Sequence, residues 1–190
     1  IIGINGTGKS TLLRIIAGEE EEDEGRISRA RHVVVRYLPQ TPVFDPEHTV
    51  LESVLAQAGE GVSEADAKTM LTKLGIFNFD QPAGELSGGQ RKRLALTAVL
   101  LSSCDILVLD EPTNHLDSEM SAWLEERLKS FNGALVMVTH DRYFLDSVCT
   151  RIVELDKGKL YSYDTNYSGF LKLKAEREAS LQASERKRQS

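Results

Sequence analysis

Eight residues near the start of the chain, Gly3-Ile4-Asn5-Gly6-Thr7-Gly8-Lys9-Ser10, carry the spacing G-x-x-x-x-G-K-S. Glycines there let backbone N–H groups turn inward around a phosphate without Cβ clashes. The helix expected to open near Lys9 adds its free N–H groups and its dipole. In such a loop the lysine reaches the β- and γ-phosphates of a nucleotide and the following hydroxyl, Ser10, holds Mg²⁺. The competing reading is a plain glycine-rich turn. An apolar strand before the loop and a helix after it argue against that turn.

Two further groups carry chemistry. In Ile106-Leu107-Val108-Leu109-Asp110-Glu111 four apolar residues make a buried strand, and Asp110 emerges at its carboxyl end. A carboxylate there suits the Mg²⁺ shell. Glu111 is then placed to orient or deprotonate an attacking water. Two adjacent acids can also be merely solvated, a reading that weakens beside a phosphate loop. The third group is Leu86-Ser87-Gly88-Gly89-Gln90, a second glycine-rich loop opening a helix and so a second potential anion site. A plain helix cap is its bland alternative. One nucleotide does not need two such loops, so the second is expected to serve a nucleotide held by another domain.

The elements that must position these residues follow from patterning. Residues 1–4 read as a strand, 11–17 as a helix stopped by Gly18, and 33–38 as a strand ended by Pro39. The acidic run 19–24 reads as a solvated loop. From Gln40 to Leu101 the chain is mostly helical. Capping pairs Thr49/Glu52, Ser63/Asp66 and Ser87/Gln90 start three helices, and Ala67, Met70, Leu71 and Leu74 mark a helical face. Beyond that, strands at 105–109, 134–139, 151–155 and 160–163 alternate with helices at 118–130 and 142–148. Alternation predicts an α/β fold with a mostly parallel sheet flanked by helices and an inserted helical subdomain. From residue 166 the composition turns charged and reads as an exposed helix.

The chain has 190 residues, 41% hydrophobic and 27% charged, with 23 Lys+Arg against 29 Asp+Glu for a net charge of −6. No global basic field points to nucleic acid. The two cysteines, Cys104 and Cys149, lack metal-ligand spacing and read as reduced thiols. No apolar run reaches the ~20 residues of a membrane span, and no signal peptide precedes the first motif. A cytosolic location is expected. The chain opens inside an apolar segment and closes in a charged one, so further sequence is expected on both sides.

Taken in order, the phosphate loop, Leu86–Gln90 and Asp110-Glu111 resemble the ATP-binding cassette (ABC) ATPases, over nearly the whole chain. The resemblance implies a P-loop NTPase core, ATP and Mg²⁺ as ligands, and ATP hydrolysis. It places nucleotide contacts at Asn5, Gly6, Thr7, Gly8, Lys9, Ser10 and Thr11, and metal contacts at Ser10, Gln40 and Asp110. Gln40 is similar to the family's Q-loop glutamine, Glu111 to its catalytic base and His140 to its switch histidine. Ser87, Gly88, Gly89 and Gln90 are similar to its signature loop, which caps the ATP of an opposing cassette. Asn114-His115-Leu116-Asp117 is similar to its D-loop, with Asp117 near that nucleotide. The resemblance divides the chain into a cassette at 1–165 (core 1–40 and 102–165, helical subdomain 41–101) and a charged helical linker from 166 to 190.

Within the family, Asp110 to Asp117, Thr139 to Asp146 and the ending Asn166-Tyr167-Ser168-Gly169-Phe170-Leu171 resemble the ABC-F branch. That implies a first cassette and the start of a linker, with a second cassette and the ribosome or its RNA as partners and no membrane domain. Two features of that pattern are absent. The antiparallel strands that carry an adenine-stacking aromatic would precede Ile1. The long helical arm of many first cassettes is replaced by a compact stretch around Gly59-Glu60-Gly61. A transporter cassette shares the nucleotide chemistry and is the first alternative. The second is a non-hydrolysing regulatory module. Upstream or downstream membrane helices, and a phosphate-release assay, respectively separate these from the main reading.

Overall fold

The computed structural model describes residues 1–4 and 6–189. The chain falls into two compact units, one of Ser10–Thr139 and one of Ile1–Lys9 with His140–Ser190.

In the larger unit, strands β1 (Val35–Leu38), β2 (Ile106–Asp110) and β3 (Ala134–Val138) form a parallel sheet in the order β1-β2-β3. The register pairs Leu38 with Leu109 and Asp110 with Val138. Strands in such a sheet are apolar on both faces, which accounts for the uninterrupted run through Leu107, Val108 and Leu109. All three carboxyl ends leave the same edge, where ligands of open α/β sheets bind. Helix α1 (Lys9–Ala17) precedes the sheet and contributes its first residue to the smaller unit. It begins at Lys9, where the phosphate-loop spacing puts its start and two residues before the apolar pattern does.

Between β1 and β2 lie α2 (Val50–Ala58), α3 (Glu64–Lys73), a short 3₁₀ turn (Ala83–Glu85) and α4 (Gly88–Leu101). Thr49 and Ser87 form reciprocal capping boxes with Glu52 and Gln90, and the Ser63 hydroxyl accepts from Asp66 N–H. Val50, Val54, Leu71, Leu86 and Leu94 are buried together in the core of this helical insertion. Each such side chain stabilises the fold by about 1.5–3 kcal/mol. Helix α5 (Ser118–Lys129) connects β2 to β3.

The smaller unit contains α6 (Arg142–Val148), the antiparallel hairpin β4 (Ile152–Asp156) and β5 (Lys159–Tyr163), and α7 (Tyr167–Gln189). Lys157 and Gly158 both take positive φ, 49° and 75°, as a two-residue hairpin turn of the favoured hand requires. The expected strand at 1–4 is reduced to one parallel bridge: Ile2 N–H donates to Val153 and its carbonyl accepts from Leu155. The next carbonyls are already engaged within the loop, Gly3 by Lys9 Nζ and Ile4 by Thr7. No helix among the described residues is long and apolar enough to cross a membrane.

Candidate active site

The site residues divide between the two units, and each set is coherent by itself. In the smaller unit, Gly6 and Gly8 have φ of 83° and 94°, left-handed conformations open to glycine at no steric cost. Thr7 closes the turn, its Oγ1 donating to the Ile4 carbonyl at 2.8 Å. A Cβ at Gly3 would sit 2.6 Å from the Leu155 carbonyl oxygen, so the loop and β4 approach too closely for any side chain there. Lys9 is buried, with Nζ on the Gly3 carbonyl. Asn5, expected to contact nucleotide, lies outside the described residues. His140 is exposed and precedes α6, whose N-cap Asp141 accepts from Phe144 N–H at 3.0 Å.

In the larger unit, the carboxyl edge of the sheet brings Gln40 and Asp110 to one cavity of about 520 Å³, which Arg14, Tyr37 and Gln57 also line. Ser10 and Thr11, in the first turn of α1, are half-buried, and Thr11 Oγ1 accepts from Arg14 Nη2 at 3.1 Å. Asp110 is 1% exposed, and its Oδ2 is buried with no hydrogen-bond partner among the described residues. A buried carboxylate oxygen left without a partner is costly, and a cation would relieve that cost. The amide oxygen of Gln40 and the carboxylate of Asp110 are hard donors that suit Mg²⁺. Among the described residues no three His, Cys, Asp or Glu gather around one point. The donor set therefore fits Mg²⁺ held by one carboxylate together with phosphate and water.

Glu111 follows at once, 6% exposed, and its N–H donates to the Val138 carbonyl at 2.7 Å, continuing the β2–β3 ladder. Its φ is 51°. A left-handed glutamate is strained, and such strain concentrates at functional sites. The backbone bend turns Glu111 off the line of β2 just past Asp110.

The signature residues start α4. Ser87 Oγ accepts from Gln90 N–H at 3.2 Å and Gln90 Oε1 from Ser87 N–H at 2.9 Å, while Ser87 and Gly88 are exposed. The loop thus presents free surface with its own polar groups held in a fixed cap. His115, at φ 65°, packs against Gly89: a Cβ there would lie 3.2 Å from its ring. The D-loop segment therefore abuts the signature within this unit. Asp117 caps α5, its Oδ1 accepting from Met120 N–H at 2.8 Å.

One residue was not visible in the motifs. Lys92, 4% exposed, donates from Nζ to the carbonyls of Pro39 and Asp110, 2.6 Å each. Burial lowers its pKa to about 8, against the opposing pull of the Asp110 and Glu111 charges. The one signal in the sequence was its place on the buried stripe of α4, three and four residues before Ala95 and Leu96.

Residues 1–114 match the family ABC_tran and residues 153–190 the family ABC_tran_Xtn, both described as ABC transporter. The chain is 42% identical to the uncharacterized ABC transporter ATP-binding protein YfmR of Bacillus subtilis, over all of this chain and 37% of that protein. It is 38% identical to the energy-dependent translational throttle protein EttA of Escherichia coli, over 98% of this chain and 42% of that protein. The chain thus spans about two fifths of the length of these relatives. The YfmR alignment runs over 230 residues against 190 here, so parts of that relative have no counterpart in this chain. A solved dimer of an ATP-binding cassette in a post-hydrolysis state, bound to ADP and Pi, superimposes with a TM-score of 0.72 at 26% identity, over 85% of this chain and 82% of that one. The chain belongs to the ABC family of ATP-binding cassettes, with ABC-F proteins as its relatives.

Proposed function

We propose that this chain is the first cassette of an ABC-F protein, and that it binds MgATP, closes against a second cassette and hydrolyses the nucleotide to act on the ribosome. The observation that carries the catalytic part is the buried, unpartnered Asp110 Oδ2 at the cavity it shares with Gln40. The ribosomal part is supported by similarity to a protein named a translational throttle.

In this reading ATP lies along residues 5–11, with backbone N–H groups and Lys9 on its phosphates. Ser10, Gln40 and Asp110 would hold Mg²⁺, which when bound would offset phosphate charge. Glu111 takes the proton of the attacking water as the new bond to the γ-phosphorus forms and the bond to the bridging oxygen breaks, leaving ADP and phosphate. His140 contacts the γ-phosphate. Ser87 to Gln90 meet the nucleotide of the opposing cassette, and Asp117 lies beside it. Residues 1–165 form the cassette, with 41–101 as its helical subdomain, and 166–190 begin the linker to the second cassette. The protein works in the cytosol.

The test is sedimentation of the full-length Glu111→Gln protein with ribosomes. Co-sedimentation that requires ATP and is lost with ADP supports the reading. Equal recovery in the supernatant under both conditions overturns the ribosomal part.

A further inference from the structure

Helix α4 presents two different surfaces within its first two turns. Its start, Gly88 to Gln90, is the signature loop. One turn on, Lys92 runs inward, and a single ammonium holds the carbonyls of Pro39 and Asp110 at 2.6 Å each. Pro39 is the residue before Gln40, and Asp110 is the residue before Glu111. Lys92 therefore grips the backbone at the roots of Gln40, Asp110 and Glu111, three of the side chains proposed to handle metal and water.

Packing alone does not account for a lysine at this place. Desolvating an ammonium is costly, and an apolar residue of similar volume fills a core without that cost. Both of its hydrogen-bond partners are backbone carbonyls, far away in the chain at separations of 53 and 18 residues. A carbonyl offers no specificity for charge, so the gain lies in where the carbonyls are held. β1 and β2 are already paired through Leu38 and Leu109. Lys92 extends that tie one step past the β1–β2 ladder, where Pro39 leaves β1 while Asp110 stays paired with Val138 of β3.

We propose that Lys92 is a positioning residue for hydrolysis: by joining the Pro39 and Asp110 carbonyls to α4, it sets the spacing of Gln40, Asp110 and Glu111 and locks it to the helix that carries the signature loop. This rests on the MgATP reading above. Nucleotide affinity comes mainly from the phosphate loop, so Lys92 acts on turnover and on metal use rather than on ATP binding.

The test compares Lys92→Met and Lys92→Gln with wild type in the full-length protein. Methionine keeps the volume and removes the donors. Glutamine offers two N–H donors from one nitrogen without the charge. Three quantities are read: affinity for a fluorescent ATP analogue, kcat for phosphate release, and the Mg²⁺ concentration giving half-maximal rate. Lys92→Met should keep affinity within about threefold and lose about 10–100-fold in kcat, the usual cost of losing a group that orients a metal ligand. Its half-maximal Mg²⁺ should rise. Lys92→Gln should recover a large part of the lost kcat. Where Lys92→Met does not fold, Lys92→Leu, which also lacks the donors, takes its place: a raised Mg²⁺ requirement with unchanged ATP affinity supports the proposal, and wild-type Mg²⁺ dependence overturns it. Unchanged kcat in a folded Lys92→Met protein overturns it, as does a parallel fall of affinity and kcat in both variants. A wild type that binds no MgATP overturns the underlying reading, and this proposal with it. A wild type that turns over ATP beside a fully active Lys92→Met overturns this proposal alone.

Discussion

Glu154→Ala should release the second and third turns of α7 from the β4–β5 hairpin. Glu154 lies mid-strand and is 5% exposed. Its Oε2 is 2.7 Å from Lys174 Nζ and its Oε1 accepts from Arg177 Nη2 at 3.1 Å. Arg177 also lies over the Tyr161 ring, 3.8 Å from its centroid, while its Nε and Nη1 are buried without hydrogen-bond partners among the described residues. The two halves of the cluster are unequal. The Lys174 side chain is 36% exposed and can turn to water, so its pair contributes about 0.5 kcal/mol. The Arg177 side chain is 24% exposed and already short of acceptors, so losing a charge-assisted bond there costs about 1.5–3 kcal/mol. The alanine variant should therefore lose about 2–4 kcal/mol of local stability. Phe170, buried against Tyr163 at 5.0 Å between ring centroids, keeps the first turn in place. Hydrogen exchange is the assay: amides at 171–178 should exchange at least about tenfold faster, since 1.4 kcal/mol is a factor of ten, and amides of β2 should not change. Unchanged exchange at 171–178 would refute the reasoning.

Two further outcomes follow from the same structure. Lys9→Ala removes a charged donor from the phosphate loop and should weaken ATP binding on the order of tenfold or more, the worth of a charge-assisted bond; a titration showing unchanged affinity counts against the loop's role. The hydrogen bond to Glu154 raises the Lys174 pKa above its ordinary 10.5. A raised basic group stabilises the fold fully below the unfolded value and loses that contribution as pH rises through the folded one. Exchange at 171–178 should therefore be constant from neutral pH to about 10, after correction for intrinsic rates, and accelerate above 10.5 in the wild type only, with Lys174→Met showing no such step.

Much of this was legible in the sequence where the signal is local. The capping boxes at Thr49 and Ser87 formed as their spacing implied, because both partners lie within one turn. The parallel strands were legible because buried strands are apolar without interruption, as in 106–109. What could not be read depends on long-range pairing. Ile1 to Ile4 is apolar enough for a strand, but the loop's own bonds to Gly3 and Ile4 take the carbonyls a ladder needs. Neither Lys92 nor Glu154 is set apart by its neighbours in the sequence. Each acquired its place only when distant carbonyls, or a helix twenty residues on, folded over it. At the candidate site, the motifs named the candidate residues, while the strain at Glu111 and the lone Asp110 Oδ2 emerged only from the backbone path and burial.

The central claim is that Glu111 is the base that cleaves ATP held by this cassette. Single-turnover phosphate release by the full-length Glu111→Gln protein tests it most directly. The account predicts ATP binding within a few-fold of wild type and a hydrolysis rate lower by about 10²–10⁴-fold, the scale of a general base. Hydrolysis at the wild-type rate with binding intact would contradict it.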